Sequence, residues 1–214
     1  MANQIDRPWD SRRGVETLDA NTGLLLARTS VERFASAVAR RAARWQPNVL
    51  GTTILVDHDF GWVFRLAGHP WSVFLYSDHG SIGTPVELSK QLNNSVIAFE
   101  CSDTTGSGAY VFASCGEIRE SLGLVDDQLK YFTVDGSHPE PDNFFEGVDR
   151  FLREHDAYLP GIYPEYFVGD GRTLARLIPG QKATVGNPGF VISAGGQEFT
   201  SVPVFERVDY LAFS

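Results

Sequence analysis

The sequence predicts an α+β fold, an antiparallel sheet made of a meander and a central hairpin, with helices packed on one face. Three observations predict it. The stretch Ser95–Glu120 holds two apolar runs of strand length around a polar, glycine-containing break, the pattern of a β-hairpin. Three further strand-length runs, Thr52–Val56, Trp62–Ala67 and Trp71–Ser77, follow one another across the short breaks DHDFG and GHP, as in an antiparallel meander. Three segments carry capping residues ahead of apolar residues at helical spacing. Nothing alternates strand and helix regularly enough for a doubly wound parallel sheet.

Taken in order, residues 1–20 are polar, with Pro8 beside paired Arg12 and Arg13, and read as a flexible N-terminal arm. Gly23–Arg28 (GLLLAR) reads as a short strand. Thr29 as N-cap with Glu32 at N3 opens the first helix. Val31, Phe34, Ala35, Val38, Ala42 and Trp45 then recur at helical spacing until Pro47 ends the pattern. After the meander, Thr84 caps a second helix with Pro85 at N1 and Glu87 at N3. Val86, Leu88 and Leu92 are its apolar positions, and Asn93-Asn94 closes it. The central hairpin follows, then a strand at Leu129–Val134.

A third helix spans about 142–155, behind Pro141, with Phe144, Phe145, Val148, Phe151 and Leu152 as its buried stripe. Gly147 within it costs roughly 0.5–1 kcal/mol relative to Ala, which points to close packing at that position. Beyond Leu159 the composition changes. Five of the eleven prolines fall between Pro160 and Pro203 among many glycines. Residues 160–214 therefore read as a Pro/Gly-rich, loop-rich segment with short strands, including Gly189–Ser193 and Val204–Phe213. It belongs to the same domain as the α+β core at 21–159.

Composition bounds the function. The 214 residues, 43% hydrophobic with 15 Phe, 7 Tyr and 4 Trp, fill a core without disulfide or metal staples. A formal net charge of −9 opposes general nucleic-acid binding and favours a basic partner. No run approaches the roughly 18–20 apolar residues that span a bilayer, so no membrane partner is expected. The opening MANQIDRPWDSRR has no apolar signal run, and two cysteines make no disulfide framework. A soluble, cytoplasmic protein is expected.

Cys101 and Cys115 sit too far apart in the hairpin for a disulfide. Glu100 and Asp103 near Cys101 raise a thiol pKa, whereas a nucleophile needs it lowered. Both cysteines read as small buried residues. His58, His69 and His79 recur almost evenly, but alternate turns of a meander lie at opposite ends of a sheet. His58 and His79 then share one end with Asp57, Asp59 and Asp78, and His69 falls at the other. His58, His79, Asp57 and Asp78 are the candidates for acid–base chemistry, and His58, His79 and Asp59 for a divalent metal. Turns are rich in such residues without any site.

The turn Ser102–Gly108 (SDTTGSG) lacks phosphate-loop spacing, and the GDG at Gly169–Gly171 lacks the third glycine of a dinucleotide fingerprint. Arg33, Arg40, Arg41 and Arg44 make the first helix locally basic, which a solvated face explains. Phe60, Trp62 and Phe64 share one side of a strand and read as core. Tyr158, Tyr163, Tyr166 and Phe167, in the loop YLPGIYPEYF, are the candidate binding anchors. The expected function is an acidic protein-binding module, an inhibitor or immunity-type partner of a basic protein, without a cofactor. The alternative is a metal-assisted or acid–base hydrolase using the His58/His79 end.

Overall fold

A computed structural model describes residues 22–66, 68–76, 83–102, 105–134, 136, 139–157, 177–185, 190–194, 197–201 and 205–213. The fold is α+β and mostly antiparallel sheet. Numbered in chain order, the strands are β1 (Thr22–Ala27), β2 (Arg44–Gln46), β3 (Thr53–Leu55), β4 (Asp59–Leu66), β5 (Ser72–Tyr76), β6 (Ser95–Ser102), β7 (Ser107–Ser114), β8 (Glu117–Val125), β9 (Gln128–Thr133), β10 (Lys182–Thr184), β11 (Phe190–Ala194), β12 (Gln197–Ser201) and β13 (Phe205–Phe213). Nine of them form one sheet in the order β2-β13-β4-β5-β1-β6-β7-β8-β9; β3 pairs with β10, and β11 with β12.

Two features of that order differ from the sequence expectation. The meander keeps only β4 and β5, because the other side of β4 is taken by β13, paired from Phe205↔Leu66 to Phe213↔Asp59. The third predicted strand, β3, leaves the main sheet and pairs with β10 through Ile54↔Ala183. The GLLLAR strand, β1, is not peripheral. It lies between β5 and β6, joining the meander remnant to the hairpin. The last stretch of the chain supplies a nine-residue interior strand rather than a short one.

The three helices are α1 (Val31–Val38), α2 (Pro85–Leu92) and α3 (Phe144–Glu154). Ser30, not Thr29, caps α1, its hydroxyl accepting from the Arg33 N–H at 3.3 Å. α1 stops at Val38 in a 3-10 turn, Ala39–Arg41, and Trp45 falls on β2. Pairing of Arg44–Gln46 with Tyr210–Ala212 overrides the helical periodicity there. The Thr84/Glu87 capping box is present on α2, with both reciprocal bonds made. Asn143 caps α3 through Glu146 N–H at 2.9 Å. Among the described residues, no helix is long and apolar enough to cross a membrane.

Side chains alternate across each strand, so the sheet has two packed faces. On one, Leu25, Val63, Phe74, Val96 and Leu211 meet Phe34 and Val38 of α1 and Leu88 and Leu92 of α2. On the other, Leu24, Trp62, Phe64, Phe99, Tyr110 and Leu122 meet Phe144, Val148 and Phe151 of α3, with Ile54 and Ala183 of the β3–β10 pair. The helices therefore divide between the faces instead of sharing one. The reason lies in the hairpin: Tyr110 and Leu122 belong to the opposite face from α2, and among the described helices it is α3 that packs there. Phe60, Trp62 and Phe64 are core. Gly147 lets α3 approach the sheet, since a Cβ there would sit 2.7 Å from Leu122 and 2.8 Å from Pro141. Phe145, which the sequence places in the buried stripe, is exposed instead.

Candidate functional site

The His58 turn joins β3 to β4. Asp57 is committed to structure: its carboxylate pairs with Arg44 and accepts from the Tyr210 hydroxyl at 2.9 Å. That hydroxyl in turn accepts from the Asp57 N–H at 2.7 Å. Burial, helped by the Asp57 carboxylate, pushes the Tyr210 hydroxyl up to about 12. Arg44 also lies over the Tyr210 ring at 5.7 Å. His58 projects into solvent, with Nδ1 3.3 Å from Asp59 Oδ1. Asp78 and His79 lie outside the described residues, as do Tyr158, Tyr163, Tyr166 and Phe167. Among the described residues, no three His, Cys, Asp or Glu side chains are grouped to hold a metal ion.

The remaining sequence candidates resolve into scaffold. Cys101 pairs in register with Gly108 and is half-buried, while Cys115 occupies the β7–β8 turn and is exposed there, against the expected burial; the two form no disulfide with each other. His69 is buried in the β4–β5 turn, where its Nδ1 accepts from the Trp71 N–H at 3.1 Å. Arg33 ties α1 to α2 by donating to the Leu92 carbonyl at 2.6 Å. Arg207 and Asp209 form a buried network missed in the sequence. The Asp209 carboxylate, fully buried, accepts from Trp45 Nε1 at 3.0 Å, Asn48 N–H at 2.9 Å and Arg207 Nε at 2.7 Å. It stitches β13 to β2.

A second buried carboxylate lies beneath α3. Glu120 on β8 is 3% exposed and accepts from the Tyr110 hydroxyl at 3.0 Å. His155, at the C-cap of α3, stacks on Phe112 at 4.0 Å and places Nε2 3.4 Å from the same oxygen. Trp71 Nε1 donates to the His155 carbonyl at 3.1 Å. Burial and the adjacent carboxylate push the Tyr110 hydroxyl well above its ordinary range. With α3 lying over it, this cluster pins the helix to the sheet.

What is open is the far end of the sheet. On β9, Leu129 and Tyr131 turn toward α3, where Tyr131 stacks on Phe151 at 5.7 Å. Lys130 and Phe132 turn the other way. The register aligns Ala98, Val111, Ser121 and Phe132 in a row across that second face. Ala98 packs against the cluster under α1 and α2, but toward β8 and β9 the face is open among the described residues: a Cβ built on Gly123 would meet no atom within 4 Å. Phe132 is 50% and Val134 55% exposed, and Ile118, Val125 and Phe145 are exposed close by in the chain. Charge is concentrated in the same stretch. Residues 115–157 carry eleven acidic against four basic side chains, a net of −7 within the chain's −9. Counting charge by segment rather than over the whole chain would have found this in the sequence.

Comparison with known protein families, with curated proteins and with solved structures finds no match.

Proposed function

We propose that this chain is a non-enzymatic module that binds a basic protein partner through the end of the sheet formed by β8, β9 and α3. One observation carries the reading: five of the eight exposed large apolar side chains among the described residues, and most of the net negative charge, fall in the same stretch, 115–157. Apolar groups supply contact energy and the acidic surround supplies steering and choice of partner. The structural commitment of Asp57 to Arg44 and Tyr210 fits a binder better than a catalyst.

The test is affinity capture from the native host with three baits side by side: wild type, Phe132→Asp/Val134→Asp, and Tyr163→Ala/Tyr166→Ala. The expected result is a basic partner held by the first and third baits, released by salt, and lost from the second. Loss from the tyrosine bait alone would move the docking surface to 158–167. Recovery of no partner would end the module reading.

The hydrolase reading retains one support. Gly61 pairs with Tyr76, so β4 begins beside the point where the chain leaves β5 toward Asp78 and His79. Metal analysis of wild type against His58→Ala and His79→Ala tests it. Bound metal lost on substitution would favour it, and a metal-free wild type would remove the metal-assisted form.

A further inference from the structure

We propose that the partner adds a basic, extended segment as a further strand along the outer edge of β9, an inference that rests on the protein-binding reading above. β9 ends the nine-strand order, and among the described residues no strand lies on its outer side. The opposite edge, β2, is only three residues long, against six for β9.

The β8–β9 turn settles which backbone groups face outward. Asp126 and Asp127 have φ values of 51° and 58°, the two-residue, positive-φ turn that twists a hairpin correctly. In such a hairpin the flanking pair, Val125↔Gln128, exchanges hydrogen bonds, and every second pair after it does so too. Gly123↔Lys130 and Ser121↔Phe132 are therefore bonded pairs, and Val134 N–H to the Arg119 carbonyl at 3.0 Å continues the series. The intervening residues, Leu129 and Tyr131, aim N–H and C=O away from β8. β9 holds no proline and no bulge, and Lys130 is its one charged side chain.

Charge selects the occupant. A second copy of this chain, also at −9, is repelled, whereas a basic segment meets a net of −7 over 115–157 with Asp126 and Asp127 at one end of the strand. On the α3 side, Glu120 and Glu154 act on Tyr131 against Arg150. Basic side chains of the added strand fall on that side, and apolar ones beside Phe132 on the open face.

The probe is a short synthetic peptide alternating Arg with Val, titrated calorimetrically into wild type, Thr133→Pro and Asp126→Asn/Asp127→Asn. Thr133 shares the outward phase of Leu129 and Tyr131, so proline there removes an edge donor and leaves the β8 ladder intact. Asn tolerates the positive φ of the turn. Controls are a Glu/Val peptide and an Arg/Val peptide N-methylated on alternate amides. Expected are binding of the Arg/Val peptide, about tenfold or greater weakening by N-methylation and by Thr133→Pro, and weakening by the Asn pair that disappears at high salt. Full affinity for both the N-methylated peptide and Thr133→Pro would overturn strand addition while leaving a basic partner in place. Equal binding of the Glu/Val peptide would overturn the basic partner as well. No binding by any peptide would overturn strand addition. Should Thr133→Pro fail to fold, the N-methylated peptide on wild type decides alone.

Discussion

Replacing Tyr210 by Phe tests whether Asp57 serves structure rather than chemistry. The variant removes one hydroxyl and two hydrogen bonds, the 2.7 Å bond from the Asp57 N–H and the 2.9 Å bond to its carboxylate. A bond to a charged group contributes about 1.5–3 kcal/mol, and that range is the expected loss of stability at neutral pH. A second signature appears in base. The folded chain holds the Tyr210 proton up to about 12, against 10.0 for a free tyrosine. Stability from this group is therefore full below about pH 10 and fades as pH rises toward 12. The displacement corresponds to about 2.7 kcal/mol at most, and solvent around Asp57 and Arg44 lowers this to about 1–2 kcal/mol. Urea unfolding at pH 7, 9 and 11 measures both effects. Tyr110 and Tyr131 are also raised, but they are common to both chains and cancel in the difference. Unchanged stability at pH 7 together with an unchanged alkaline loss would refute the reasoning.

Three other substitutions probe the scaffold, and a fourth probes the open face. Asp209→Ala leaves the Trp45 and Asn48 N–H donors without their acceptor and Arg207 with Glu32 as its remaining carboxylate, and denaturant unfolding should show a loss of about 1.5–3 kcal/mol. Gly147→Ala forces a methyl against Leu122 and Pro141, and a thermal melt should register about 1–3 kcal/mol of destabilisation. Glu120→Ala strands the buried Tyr110 hydroxyl at a cost of about 1–3 kcal/mol, while Phe132→Asp, on the open face, should change unfolding free energy by less than about 0.5 kcal/mol.

Local chemistry was legible in the sequence, and long-range pairing was not. The Thr84–Glu87 capping box needs only four neighbouring residues, so it is read directly from spacing. Gly147 announced close packing because a glycine inside a helix is costly unless something must approach. The partner of β4 is β13, some 140 residues away, and no local pattern encodes that choice. Losing β3 to β10 followed from it. Trp45 fitted a helical stripe equally well as a strand residue, and pairing with β13 decided. β8 went unrecognised because Gly123, Asp126 and Asp127 look like loop composition, although two positive-φ residues make a tight hairpin there. Among the site residues, Asp57 and His58 were correctly placed in a turn, but the use of Asp57 by Arg44 and Tyr210 depends on β2 and β13. The acidic end was present in the residue order all along, and a whole-chain net charge hid it.

Hydrogen exchange read by mass spectrometry on the captured complex tests the docking surface most directly. The account predicts that peptides covering 117–134 exchange more slowly in the complex than in the free chain, with β9 protected most strongly. Protection confined to residues outside 115–157, with β8 and β9 exchanging as in the free chain, would contradict it.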